Sequence, residues 1–149
     1  MSELVMTSEP FAAVGDAAAT WVAEALTGSG IAEQVSTLHV ATPDSGAREA
    51  LAFWSAAQAT GLRLASPAAF PWTLSTSVTG RISVALEVTG GCTTYVGDDE
   101  AWEEALLSAA EDAASGATSL AVRVEGLDPP DPHGGSTRVR VTARRVSPG

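Results

Sequence analysis

The run "GGCTTYVGDDEAWEEALLSAAEDAASG", residues 90–116, decides how this chain is read, because it joins the only cysteine to the most strongly patterned helix. "CTTYV" is short, β-branched and flanked by glycines, which predicts a strand. Asp98 or Asp99 can cap the helix that follows. There Trp102, Ala105, Leu106, Ala109, Ala110 and Ala113 recur at helical spacing, while Glu100, Glu103, Glu104, Glu111 and Asp112 take the other side. A reactive thiol is activated by a helix N-terminus or a neighbouring imidazole. Cys92 instead precedes the cap by six or seven residues, and "DDE" at the first turn would hold its proton on. The expectation is a bystander: a small, buried, apolar residue.

The bulk properties bound the rest. The chain of 149 residues is 45% hydrophobic and has the size of one ordinary domain, residues 1–149, with room for a core. Its net charge is −10, unevenly spread. Up to residue 137, four Arg face eighteen acids, a balance of −14, and Arg138, Arg140, Arg144 and Arg145 then follow within the last dozen residues. An acidic body repels phosphate backbones, so nucleic-acid binding is disfavoured. One cysteine excludes an internal disulfide framework. No apolar run reaches the length of a membrane span. "MSELVMTSEPF" carries acids where a signal peptide needs a basic start, so a cytoplasmic protein without membrane attachment is expected.

Residues 3–7, "ELVMT", read as a strand and "DAAATWVAEALTG" as a helix stopped by "GSG". "STLHVAT", 36–42, reads as a strand ending at Pro43. Asp44 or Ser45 can cap the next helix, in which Ala50, Phe53, Trp54 and Ala57 form the apolar stripe. "LRLASPAAFPW" is a Pro-punctuated loop. The run 74–88 has strand-like composition, but Val78, Ile82, Ala85 and Leu86 fall at helical spacing. "TSLAVRVEG" is a strand, "LDPPDPHGG" a loop and "STRVRVTARRV" a final strand. Alternation sets Arg138, Arg140 and Arg144 on one face of it and Val139, Val141 and Ala143 on the other. Strands separated by helices predict an α/β layered domain with a partly parallel sheet.

His39, within an apolar strand, reads as a satisfied core histidine, and His133 as a solvated loop residue. With Cys92 they form no metal-ligand spacing, and no cofactor is expected. The Arg-bearing strand fits a solvated edge that discourages aggregation, or a dock for an acidic partner.

The order of segments in "ASPAAFPWTLSTSVTGRISVALEVTGG", followed by a strand, an amphipathic helix and "GATSLAVRVEG", resembles the N-terminal half of β-ketoacyl synthases, condensing enzymes of the thiolase superfamily. Ser66, Pro67, Phe70 and Pro71 match its "SP…FP" element. Gly80, Ile82, Ser83, Ala85 and Leu86 match its small-residue helix, and Gly90 its turn, with Gly91 where Pro is usual. Gly116 and Ala117 match the turn before the next strand. The likeness covers roughly residues 36–125 and makes 74–88 a helix. It implies a thiolase-like half domain: a mixed, mostly parallel sheet of about five strands with helices on both faces.

The resemblance also implies what should be missing. The family's nucleophilic cysteine falls near Asp99, where Asp98 and Asp99 cannot do a thiolate's work, and the half that supplies the assisting histidines has no counterpart. A non-catalytic subunit is implied, with no catalytic residue. An acyl-transfer or hydrolytic use of Ser83, Ser75 or Asp99 finds no base. By the same resemblance "CTTYV" pairs across a two-fold axis, so Gly80, Cys92, Thr93, Thr94, Tyr95 and Val96 are expected at a partner interface. An apolar face is expected where the other half would lie, and with it an obligate oligomer. The expected partner is a ketosynthase or ketosynthase-like subunit in polyketide or fatty-acid biosynthesis, with a chain-length-factor-like or stabilising role. The alternative is a homodimer binding an acyl or other small apolar ligand. Contact with an acyl carrier protein, itself acidic, would be indirect or would use Arg138, Arg140 and Arg144.

Overall fold

The computed structural model describes residues 2–11, 16–44, 47–129 and 137–149. His133 and most of the loop that holds it lie outside the described residues. The strands are β1 (Ser2–Thr7), β2 (Thr37–Thr42), β3 (Cys92–Val96), β4 (Ser119–Gly126) and β5 (Val139–Val146). The helices are α1 (Asp16–Ser29), α2 (Ala47–Thr60), α3 (Thr76–Ala85) and α4 (Asp99–Ala114). The expected loop 62–72 contains two short 3-10 turns, Leu62–Leu64 and Phe70–Thr73.

The five strands form one sheet in the order β1-β5-β4-β2-β3. β2 runs parallel to both β3 and β4, whereas β5 is antiparallel to β4 and to β1. β5 alone therefore opposes the other four, so the sheet is mixed with most strands in one direction.

Alternation along the strands sorts the core into two layers. On one face Leu38, Val40, Leu120, Val122, Val141 and Ala143 meet Val22 and Leu26 of α1 and Val78 and Ile82 of α3. On the other, Ala41 and Ala121 meet Ala101, Ala105 and Ala109 of α4. The alanine row at every fourth position gives α4 a face without long side chains, so its backbone can lie close to β2 and β4. Helix α3 settles the ambiguous run: Val78 and Ile82 are buried together, as the helical period requires.

Helix α2 departs from expectation. Of its apolar stripe only Ala57 is buried, and Trp54 is 53% exposed. The helix packs chiefly on the two 3-10 turns rather than on the sheet. Of its two expected caps, Asp44 accepts a hydrogen bond from Gly126 N–H at 3.2 Å and Ser45 lies outside the described residues.

The turn before β3 depends on Gly90. Its N–H donates to the Ser36 carbonyl at 2.8 Å. A Cβ at this position would collide with that same carbonyl oxygen and lie 3.1 Å from Thr37 Cγ2. The close backbone approach, not an unusual dihedral, makes glycine necessary.

Candidate functional site

The C-terminal ends of β2 and β3 and the N-terminus of α4 meet where the resemblance places a nucleophile. Asp98 is the N-cap residue of α4, but its side chain makes no capping bond. Asp99 starts the helix and pairs with Arg123 at 2.9 Å. Asp98, Asp99, Glu100 and Glu104 line a cleft of ≈ 490 Å³ with Tyr95 and Val96. Four carboxylates in one shallow cleft disfavour a thiolate or any other anion there. No group of three or more His, Cys, Asp or Glu side chains among the described residues could hold a metal ion.

Cys92 is exposed, not buried as its composition and neighbours suggested. The reason is sheet order: β3 is an edge strand, so even its inward-facing side is only partly covered. Cys92 pairs with Leu38, whose side chain belongs to the α1/α3 layer. His39, the next residue, points to the α4 layer, so the thiol and the imidazole lie on opposite faces of the sheet. Ser83 is also separated from His39 by the sheet, and its hydroxyl donates back to the Gly80 carbonyl at 2.8 Å.

His39 is held at both ring nitrogens. Nε2 lies 2.6 Å from Asp112 Oδ2 and Nδ1 lies 2.9 Å from Tyr95 Oη. A carboxylate only accepts, so Nε2 carries a proton, and in the neutral ring Nδ1 accepts from the tyrosine hydroxyl. Burial would push the Asp112 carboxyl up, but hydrogen bonds from His39, Thr37 and Ser119, and the charge of His39, hold it below its ordinary value. In this Tyr95–His39–Asp112 chain the carboxylate end is held further by Thr37 and Ser119. The trio works as a clasp tying the edge strand β3 through β2 to α4. The sequence suggested a satisfied histidine, whereas its partners lie 56 and 73 residues away and left no local signal.

The six residues expected at a partner interface do come together. Thr79 of α3 and Thr94 of β3 share a hydrogen bond at 2.6 Å, setting the exposed Gly80 beside the strand. On β3 itself Cys92, Thr93 and Val96 are exposed, Val96 by 65%, while Thr94 and Tyr95 are half-buried. The outer side of β3 has no strand beside it among the described residues.

The Arg face is neutralised in place: Arg138 pairs with Asp128, Arg140 with Glu125 and Arg144 with Glu3. The exposed side of α4 carries Glu100, Glu103, Glu104 and Glu111, as the spacing predicts. Large exposed apolar side chains concentrate instead between Leu51 and Val84.

No family profile and no curated protein matches the chain. Among solved structures it is similar to a chain of the complex between the ketosynthase ApeO and its chain length factor ApeC from Xenorhabdus doucetiae. The TM-score is 0.60 at 13% identity, over 85% of this chain and 56% of that one. The fold is thiolase-like. The chain spans a little over half the length of that structural neighbour. No helix among the described residues is long and apolar enough to cross a membrane.

Proposed function

We propose that this chain is a non-catalytic, ketosynthase-like accessory subunit that associates with a complete ketosynthase and supports or shapes it, as a chain length factor does. The observation that carries this reading is the open edge of β3 on a fold similar to a chain of a ketosynthase–chain length factor complex. An edge strand offers a row of unpaired backbone donors and acceptors, which another strand satisfies best. The acidic cleft supports the same reading, because by the sequence resemblance Asp98 and Asp99 would occupy the position of a condensing enzyme's sulfur, and they line this cleft with Glu100 and Glu104. On this reading the partner performs the chemistry and the carrier docking, in polyketide or fatty-acid biosynthesis.

Co-expression with ketosynthases encoded near this chain, followed by sizing with light scattering, tests the proposal. A complex of fixed stoichiometry in which Cys92 is protected from maleimide supports it. A chain that elutes apart from every such ketosynthase, with Cys92 fully reactive, refutes it. A homodimer with a protected Cys92 would favour self-association through the same edge.

A further inference from the structure

Strand β1 is the most exposed strand of the sheet. Every side chain in it except Leu4 is exposed, and Leu4 alone packs against the main core. Its one neighbour, β5, is by contrast buried at Val139, Val141 and Ala143 on the side turned to α1. The chain is anchored just beyond β1. Ser8 is buried, its N–H donates to the Val139 carbonyl at 2.8 Å, and its Oγ accepts from the Val139 N–H at 2.8 Å. Phe11 then pairs with Thr137 and stands edge-on to Trp21 of α1, with centroids 6.3 Å apart. Ser8 is thus a pin from which residues 2–7 hang as a strap. Lifting them costs ladder bonds that water replaces, the Leu4 contact and one exposed ion pair, while the layers on α1, α3 and α4 stay closed.

We propose that β1 is a displaceable strap, and that the β5 edge beneath it accepts an extended acidic segment of another polypeptide in its place. The proposal is independent of the accessory-subunit reading. With β1 lifted, β5 becomes the edge of the sheet and presents a row of open backbone donors and acceptors, which an incoming strand satisfies. The strap itself shows which strand fits. Glu3 stands opposite Arg144, and its Oε2 accepts from Nε at 3.0 Å and from the terminal guanidinium nitrogen at 2.6 Å. On the same face Thr7 stands opposite Arg140 and brings no charge, so β1 matches only one of the two arginines. On the other face Leu4 and Met6 lie opposite Ala143 and Val141. The fitting strand therefore alternates, with acids at the positions of Glu3 and Thr7 and apolar residues between. A basic strand would set like charges directly opposite one another, which destabilises the pair. The tethered strap competes at an effective concentration on the order of millimolar, so only a better-matched strand displaces it.

The test uses the full chain and a fluorescein-labelled synthetic peptide that copies residues 2–9 with glutamate in place of Thr7. A control peptide carries lysine at the positions of Glu3 and Thr7. Glu3→Lys with Leu4→Ser in the chain loosens the strap while leaving Ser8 and the helices untouched. This variant should keep the wild-type circular dichroism spectrum and bind the acidic peptide about tenfold more tightly than wild type by anisotropy, because the internal competitor is weakened. The lysine peptide should bind about tenfold more weakly than the acidic one. A folded variant that binds neither peptide, or both equally, overturns the proposal. A variant that dimerises in sedimentation and ignores the peptide assigns the edge to a second copy and also overturns it. Hydrogen exchange on the wild-type chain tests the strap without any substitution. The β1 amides should exchange faster than those of β4 and at a rate that low urea leaves unchanged. Exchange of β1 only together with β4, through global unfolding, would overturn the proposal even where the variant fails to fold.

Discussion

His39 Nε2 lies 2.6 Å from Asp112 Oδ2, joining the middle of β2 to the C-terminal part of α4 across 73 residues of sequence. Replacing His39 by Phe removes both ring bonds, taking from the half-buried Tyr95 hydroxyl its imidazole partner and leaving the Asp112 carboxylate with Thr37 and Ser119 alone. A loss of about 1–3 kcal/mol is expected, the ordinary cost of unsatisfied buried polar groups. Urea denaturation followed by tryptophan fluorescence would measure it, and no loss would show that the clasp contributes nothing.

The same carboxylate gives stability a pH dependence with a defined sign. Its folded pKa lies below the unfolded value. Its contribution is therefore complete above the unfolded carboxylate range of about 4 and is lost as pH falls through the lower folded value. Asp112→Asn should be less stable than wild type at pH 7, and the gap should narrow as pH falls below the ordinary carboxylate value of about 4. Parallel denaturation series on either side of that value check this, and a constant gap would contradict it.

Glycine 90 is expected to tolerate no side chain. Gly90→Ala would drive a methyl into the Ser36 carbonyl, and one of the two backbone segments must yield. A cost of about 1–3 kcal/mol follows from comparable overpacking, together with faster amide exchange along β3. Gly91→Ala, where a Cβ meets nothing within 4 Å, should cost far less.

Helix α4 offers a converse test in the core. Ala105 and Ala109 are fully buried against the sheet. Enlarging Ala109 to Leu should destabilise by about 1–3 kcal/mol through overpacking. Ala110→Leu, one residue on and exposed, should change stability by less than about 0.5 kcal/mol.

Cys92 makes a prediction about accessibility. In the isolated chain the thiol should react stoichiometrically with a maleimide without denaturant, because it is exposed. Cys92→Ala should leave stability within about 0.5 kcal/mol of wild type. A thiol that reacts only in urea would place β3 in the interior after all.

The elements themselves were legible in the sequence because their signals are local. The alanine row and acidic face of α4, the β-branched "CTTYV" and the alternating valines of β5 each declare themselves within a dozen residues. What stayed hidden depends on pairing between distant segments. Cys92 was read as buried because nothing in "GGCTTYV" reveals that β3 lies at the edge of the sheet. The stripe on α2 was real, but periodicity cannot say whether a sheet lies beneath it. Here two 3-10 turns lie there instead. The Arg face was seen correctly as a face. Its neutralisation was not, since Glu3 and Arg144 stand 141 positions apart. The likeness to condensing enzymes supplied the thiolase-like half domain and decided for the helix at 76–85, which spacing favoured and composition opposed.

The strand order has one more consequence, for biogenesis. β1 pairs with β5 alone, Ser2 opposite Arg145 and Thr7 opposite Arg140. β1 thus has no mate until β5, more than 130 residues later in the sequence, has been translated. Such a long closure slows folding and leaves an apolar segment waiting unpaired. Nascent "ELVMT" is therefore the natural handle for a holdase chaperone, and the sheet can close only after synthesis has passed β5.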